Sequence, residues 1–421
     1  CLWTRAGFRQ PDLVNCLWTR PGFSMSRSTD SKSLLYLPAE GEASHVEASL
    51  RSLSAASGLH FMVAETREAS TCLRKLGQSC AIAICGLGVE DKDHQACLKA
   101  LAAVKLHAPG SFGIAFGAAA SDPVLRLDAF AAGARMVTID LESVGHVAPF
   151  IASQGSSGGR FTCPGGCGIS CLSEMELHKH YPLYHACEPN ISVSCPMCGI
   201  QPDVRSGGID VHMHNEHGPV EDREPAHACY AAFSWVVCQR SDGKFLLVHE
   251  PAGISGGKPL YWLPAGRVDI GESLLEAAKR ETLEEGGVEV EISGVLSFMQ
   301  GREKRGPPTM RVVFLAKPKD EARCFAKSGP DFESCGAAWS SLEDVLRLKS
   351  NQFRSDDPHF FCPAVASGSL TALPMDTQAF ADFDAKIQSL TQNPGESTSD
   401  ALSTILANLK KTYPASAFSR D

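Results

Sequence analysis

Three glutamates share one face of a short segment: in KRETLEEGG, Glu281, Glu284 and Glu285 stand at i, i+3 and i+4, the spacing of neighbours on a helix. Carboxylates this close repel one another, and a helix face accommodates them when a cation offsets the charge. Hard oxygen donors select magnesium, or manganese. Such an ion neutralises pyrophosphate oxygens and activates water for attack at phosphorus. Two further residues fit this chemistry. Gly266 lets a loop backbone approach a metal or phosphate closely. Arg280 is placed to grip Glu272 through a bidentate ion pair, fixing loop against helix. LLEAAKRETLEE alone has the composition of an ordinary solvated helix. Gly266, Glu272, Arg280, Glu281, Glu284, Glu285 and Gly287 in one register set the segment apart.

A second group of residues is built for a softer metal. Cys163 and Cys167 are followed after twelve residues by His180 and then His185, and Cys195 and Cys198 are followed by His212 and His217. A cysteine knuckle followed by a helical turn bearing histidines delivers four ligands tetrahedrally, which suits structural zinc. His178 competes with His180 in the first set, and His214 paired with His217 is the alternative in the second. Phe161 and Leu177 stand where a small apolar core belongs, Cys171 replaces the usual aromatic, and Ser173 with Glu176 forms a capping box. The first helix, LSEMELHKH, carries one lysine and two glutamates. A protein partner or a purely structural role is therefore favoured for the fingers over nucleic acid.

The elements that must position these residues fall into an α/β multidomain chain. In 33–152 the runs SLLYL, HFMVAE, CAIAICGLG, SFGIAFG and ARMVTIDL alternate with helix-length segments, the rhythm of an open parallel sheet with crossover helices. Two small zinc fingers occupy 160–218, after SQGSSGGR at 153–160, which reads as a flexible linker. A second linker, GPVEDREPAH, leads into a domain over 228–375. There AAFSWVVCQRSDGKFLLVHEP reads as a hairpin and RVVFLAKP as a strand, Ser273 to Glu285 as a helix with Leu274, Leu275 and Ala278 facing the core, and GAAWSSLEDVLRL as a late strand entering a helix. The tail, 376–421, contains an amphipathic helix, DALSTILANLKKTY, without chemical signal. At the other end CLWTRAGF and CLWTRPGF form a near-identical repeat before Met25, so 1–32 reads as unstructured or as a mispredicted start.

GRVDIGESLLEAAKRETLEEGGV matches the pattern Gx5Ex7REUxEExGU, with Thr282 in place of one aliphatic residue U, and on this match 228–375 is identified as a member of the Nudix hydrolases. The buried hydroxyl of Thr282 would need a partner. The resemblance implies an α/β/α sandwich, Glu281 and Glu285 as magnesium ligands assisted by Glu284, and the Gly266 carbonyl as a further ligand. It leaves the catalytic base undecided. WLPAGRVDIGES, RVVFLAKP and GAAWSSLEDV are most similar to the animal 8-oxo-dGDP phosphatase group. They imply hydrolysis of an oxidised purine nucleoside diphosphate to monophosphate and phosphate, with Trp262, Phe298 and Trp339 as stacking candidates for the base. ADP-ribose or a dinucleotide is the alternative substrate, and an interaction protein on a scaffold fold the alternative class. The element order over 33–152, AFAAGARMVTI in particular, resembles a receiver domain. Pro38-Ala39-Glu40 and Cys85-Gly86 stand where a phospho-accepting receiver keeps its acidic residues, which implies a pseudo-receiver.

Composition narrows the remaining classes. With 39 basic and 48 acidic residues the formal charge is -9, so the overall field does not favour nucleic acid or acidic membranes. No apolar run reaches the roughly 20 residues that span a bilayer. Seventeen cysteines, an odd number with no secretory signal, point to metal rather than disulfides and to an intracellular, cytoplasmic or nuclear, protein.

Overall fold

The computed structural model describes residues 32–40, 44–218, 231–302, 308–392 and 398–418. The N-terminal repeat and nearly all of the second linker lie outside these residues. Each of the five apolar runs of the first region forms a strand: β1 (Ser33–Leu37), β2 (His60–Val63), β3 (Cys80–Gly86), β4 (Phe112–Phe116) and β5 (Met136–Thr138). They pair in parallel in the order β2-β1-β3-β4-β5. Helices α1 (Ser44–Ala56), α2 (Ala69–Leu76), α3 (Asp91–His107), α4 (Pro123–Ala132) and α5 (Leu141–Ser153) form the connections. Every residue of β1, β3 and β4 is buried, as expected for a sheet covered on both faces. Local signals start and stop the helices. Asp122 accepts from Val124 N and Leu125 N ahead of Pro123, and Gly133, at φ 112°, ends α4 in the left-handed region. Cys85, at the end of β3, is fully buried.

SQGSSGGR is not a free linker. Its backbone turns and is pinned to the segment that follows by Gly159 N to Cys171 O (2.9 Å) and Phe161 N to Leu172 O (3.0 Å). A Cβ on Gly159 would lie 2.0 Å from the Leu172 carbonyl carbon, so only glycine fits. The reason for this order is packing. In α6 (Glu174–His185), Tyr184 is buried edge-on against Phe112 of β4 at 5.1 Å, with the Arg135 guanidinium 4.5 Å over its ring. The segment carrying Cys163, Cys167, His180 and His185 thus shares the core of the parallel sheet. α7 (Gly208–His217) carries His212 and His217 and packs on α6.

The C-terminal region holds two sheets: β10 (Val290–Arg302), β11 (Pro308–Pro318), β6 (Ala231–Cys238) and β9 (Ala265–Arg267) in the order β10-β11-β6-β9, and β12 (Ala337–Ser340), β7 (Phe245–Glu250) and β8 (Leu260–Trp262) in the order β12-β7-β8. The segment expected as a β6–β7 hairpin instead passes from one sheet to the other. β6 pairs with β11 and β9, β7 with β12 and β8, and the two meet at an isolated bridge, Gln239 with Phe245. Burial of both strands on both faces outweighs the local turn signal. α8 (Leu274–Gly286) lies across β6 and β9, burying Leu274, Ala277 and Ala278. Its Thr282 hydroxyl finds the needed partner in Ala278 O at 2.7 Å. α9 (Leu342–Arg347) follows β12, and α10 (Asp357–Ala366) packs beside it.

The tail is more than one amphipathic helix. α11 (Gln378–Gln392) and α12 (Thr398–Thr412) bring Phe380, Phe383, Ile387 and Leu409 into the same core as α8, so that core extends past residue 375.

The parallel-sheet region and the C-terminal region meet over β7 and β8. The Tyr261 hydroxyl donates to Pro123 O at 3.0 Å, Thr138 Oγ1 and Ser328 Oγ lie 2.9 Å apart, and Phe130 packs on His249 at 5.0 Å. Tyr261 is fully buried, so Tyr261→Phe removes a buried hydrogen bond between the two regions. The expected cost is about 1–2 kcal/mol, read as a lowered denaturant midpoint with no change in slope. An unchanged midpoint contradicts the contact.

Candidate functional site

α8 begins at a capping box in which Ser273 accepts from Glu276 N and Glu276 accepts from Ser273 N, and it ends at Gly287, at φ 75°. Between these stops the helix carries Arg280, and this guanidinium organises the site. Its Nε and Nη2 each donate to Glu272 at 2.8 Å, Nη1 donates to Glu281 at 2.7 Å and Glu284 at 3.1 Å, and Nη2 also reaches Arg267 O at 2.9 Å. The loop 266–272 is thereby tied to the helix. Gly266 sits against Glu281, where a Cβ would fall 2.0 Å from Oε1. That contact, rather than an unusual φ, excludes any side chain there.

Glu281 is fully buried and Glu285 is 4% exposed, with Glu285 Oε2 accepting from Ala265 N at 2.9 Å. Burial pushes the Glu281 carboxyl up to about 7 against the pull of Arg280, with Glu333 and Glu284 adding to the rise. Glu285 is raised well above the carboxylate range by burial and then by Glu281, Glu250 and Glu333. The three helix carboxylates do not gather into one set of atoms within 4.8 Å, whereas each Cys/His quartet does. Arg280 stands among the carboxylates instead. The donor set offers several buried carboxylate oxygens, which suits a hard divalent cation.

The spacing argument missed several contributors. Glu250, at the end of β7, is 1% exposed and held by Arg354 at 2.9 Å and Ser255 at 3.0 Å. Glu333 is 2% exposed in the loop before β12. Both add negative charge at Glu285, yet neither lies in a motif, and only a spacing-independent search for acidic residues at strand ends and loops would have raised them. The last turn of α8 is gripped from the same loop: Lys327 Nζ donates to Glu284 O at 2.6 Å and Ser334 Oγ to Glu285 O at 2.8 Å. Its first turn is gripped from the tail. Asp384 accepts from Leu274 N at 2.7 Å, Gln388 donates to Gly271 O at 2.6 Å, and Thr391 accepts from Gly271 N at 3.1 Å.

The three aromatic candidates are buried among packed rings and strands. Phe298 is 1% exposed, with Phe418 stacked on it at 5.2 Å and Phe383 and Tyr413 at its sides. Trp262 is 3% exposed and meets Trp235 edge-on at 5.1 Å. Trp339 is buried, its Nε1 donating to Cys324 O at 2.6 Å. Long strands facing two helical layers leave these large rings inside.

The Cys/His residues form two quartets, Cys163, Cys167, His180, His185 and Cys195, Cys198, His212, His217. The Sγ to Nε2 distances are 3.3 Å (Cys163–His185), 3.4 Å (Cys167–His180), 3.4 Å (Cys195–His217) and 3.2 Å (Cys198–His212). A zinc tetrahedron with Zn–S of about 2.3 Å and Zn–N of about 2.0 Å has an S···N edge of about 3.5 Å. In the first quartet the outer nitrogens are oriented as metal ligands require: His180 Nδ1 meets Gln154 Oε1 and His185 Nδ1 meets Glu188 Oε2, both at 2.9 Å. The Cys167 thiol is held far below the ordinary range by its hydrogen bond with Cys163 and by both histidines. His178 and His214 lie outside the quartets, facing each other at 6.1 Å. The expected capping box of Ser173 and Glu176 is present. The described cysteines are free thiols, and no described helix is long and apolar enough to cross a membrane.

Comparison with known proteins bears on the C-terminal region. The NUDIX domain family matches residues 231–361. The chain is 35% identical over 132 residues to human 8-oxo-dGDP phosphatase NUDT18, covering 31% of this chain and 38% of that protein. It is 31% identical over 105 residues to Nudix hydrolase 5 of Arabidopsis thaliana, covering 25% and 34%. The match to phosphatase NudJ of Shigella boydii is 31% identical over 113 residues and covers 26% of this chain and 68% of the relative. The chain thus spans 38% and 34% of the length of the first two curated relatives. Among solved structures, a NUDIX hydrolase from Nitrosomonas europaea aligns at 23% identity and a TM-score of 0.28, over 34% of this chain and 93% of that one. With the family matched across the glutamate-bearing helix and a 31%-identical relative covered over 68% of its length, this chain belongs to the Nudix hydrolase family.

Proposed function

We propose that the protein hydrolyses an oxidised purine nucleoside diphosphate of the 8-oxo-dGDP kind to the monophosphate and inorganic phosphate, in a reaction that depends on magnesium or manganese. The observation that carries this reading is the buried carboxylate cluster of α8, held in register with the Gly266 loop by Arg280. The base preference rests on the similarity to NUDT18 at 35% identity. Glu281, Glu285 and Glu284, with the Gly266 carbonyl, would hold the divalent ion. A bound ion supplies neutralising charge for the diphosphate and a more acidic water.

The chain's own residues do the rest. Arg280 and Glu272 are positioning residues that keep the loop and helix carboxylates in one arrangement. Glu250 and Glu333 deepen the negative potential that draws a cation to Glu285.

Glu285→Gln preserves an acceptor for Ala265 N while removing the charge. The variant should keep the parent's denaturation midpoint and lose at least about 100-fold in magnesium-dependent release of phosphate from 8-oxo-dGDP. Equal activity overturns the mechanism. In a panel with phosphate-resolved products, faster turnover of ADP-ribose or diadenosine polyphosphates than of 8-oxo-dGDP overturns the substrate while leaving the hydrolase.

The two quartets are proposed to hold structural zinc. Because the first finger shares a core with the parallel sheet, the full chain is the right object for the assay. Metal analysis should find about two zinc ions per chain, falling to one in Cys195→Ser. A chain free of zinc after preparation without chelators contradicts the assignment.

A further inference from the structure

Glu250, Glu281, Glu285 and Glu333 are each 4% exposed or less, so a diphosphate drawn to this site meets four buried carboxyls. At neutral pH a nucleoside diphosphate carries about three negative charges, of which one divalent ion offsets about two. The remainder calls for a cation of the chain. Two cations of the site are spent inside the fold, Arg280 on Glu272, Glu281, Glu284 and Arg267 O, and Lys327 on Asp331 and Glu284 O. Arg354, in the loop between α9 and α10, is not. Its side chain is 46% exposed, and among the described residues it has one carboxylate partner, Nη1 donating to Glu250 Oε1 at 2.9 Å while Nε and Nη2 meet no acceptor.

The guanidinium is held in place from three directions. Phe353 bridges to Tyr261, and Arg354 N donates to Tyr261 O at 3.0 Å. The Trp262 ring lies beneath it, 5.9 Å from centroid to Cζ. Glu250 fixes Nη1 and is itself fixed at its other oxygen by Ser255 at 3.0 Å. The chain under the guanidinium then runs straight into the carboxylate site: three residues after Trp262 comes Ala265, whose N–H is held by Glu285, and next Gly266, which sits against Glu281. Balancing Glu250 accounts for one donor of five. It leaves unexplained the edge formed by Nε and Nη2, the paired donors that match two oxygens of a phosphate.

We propose that Arg354 is a phosphate-binding residue of this site, its Nε and Nη2 donating to non-bridging oxygens of the substrate's diphosphate. The proposal rests on the reading of the chain as a diphosphate hydrolase and adds the residue that answers the charge left over by the divalent ion. Glu250 gains a second role as the positioning residue that fixes this guanidinium by its Nη1.

Methylenediphosphonate, a diphosphate analogue with no base, no sugar and no hydrolysable bridge, is the probe. Isothermal titration of the full chain with magnesium should show binding that Arg354→Met weakens at least about tenfold. Manganese should bind the variant at least as tightly as the parent, since removing a positive charge does not weaken a cation site. A double-mutant cycle separates phosphate binding from the balancing of Glu250. In Glu250→Gln the amide oxygen still accepts from Nη1, and Arg354→Met should again cost at least about tenfold in that background. A loss that disappears there overturns the proposal, as does the absence of magnesium-dependent probe binding at millimolar concentration. Should Arg354→Met fail to fold alone, the Glu250→Gln background, which leaves no uncompensated carboxylate, still decides the matter. Failure of the hydrolytic reading is distinct: a parent inert toward 8-oxo-dGDP but binding the probe through Arg354 removes the substrate and keeps the phosphate contact. An active parent whose probe affinity is untouched by Arg354→Met does the reverse.

Discussion

One guanidinium holds the C-terminal site together. Arg280 is mostly buried and answers Glu272, Glu281, Glu284 and the carbonyl of Arg267 at once. A buried ion pair is costly to break, because the partner left behind is an uncompensated charge; loss of one partner commonly costs about 3–5 kcal/mol. This constraint reaches outward. The loop from Gly266 to Glu272 must return to the helix at the height of Arg280, Gly266 must lack a side chain, and α8 must start and stop where its capping box and Gly287 put it. The tail and the loop before β12 then fasten the two ends of the helix.

The N-terminal half is joined to this arrangement by packing rather than by a tether. Tyr184 seats α6 on the parallel sheet, and Tyr261 and Thr138 link that sheet to the second body of structure. The loop carrying Glu333 lies between α7 and the glutamate helix, with Phe332 against His214 and Ser334 against the end of α8. A chain built this way has a physical connection between its Cys/His quartets and its carboxylates.

What could be read from the residues was local. The glutamate helix, the Gly266 and Arg280 pairing and both Cys/His quartets follow from spacings within one loop and one helix, where geometry is nearly independent of the rest of the fold. The five parallel strands were legible because runs such as CAIAICG are apolar on both faces. Contacts distant in sequence were not. Glu250 and Glu333 reach Glu285 through strand pairing and a long loop, and Asp384 reaches Leu274 across 110 residues. The β6–β7 turn carried a hairpin signal, yet the strands separated into two sheets because each found longer partners elsewhere.

The central claim is that the carboxylates of α8, held by Arg280, form a divalent-cation site. Its most direct test is a manganese titration of the full chain followed by electron paramagnetic resonance, with zinc retained and no nucleotide present. The account predicts saturable binding in the parent that is weakened at least tenfold in Glu285→Gln, which leaves the Arg280 ion pairs intact, at an unchanged denaturation midpoint. Equal manganese binding by parent and variant would contradict it.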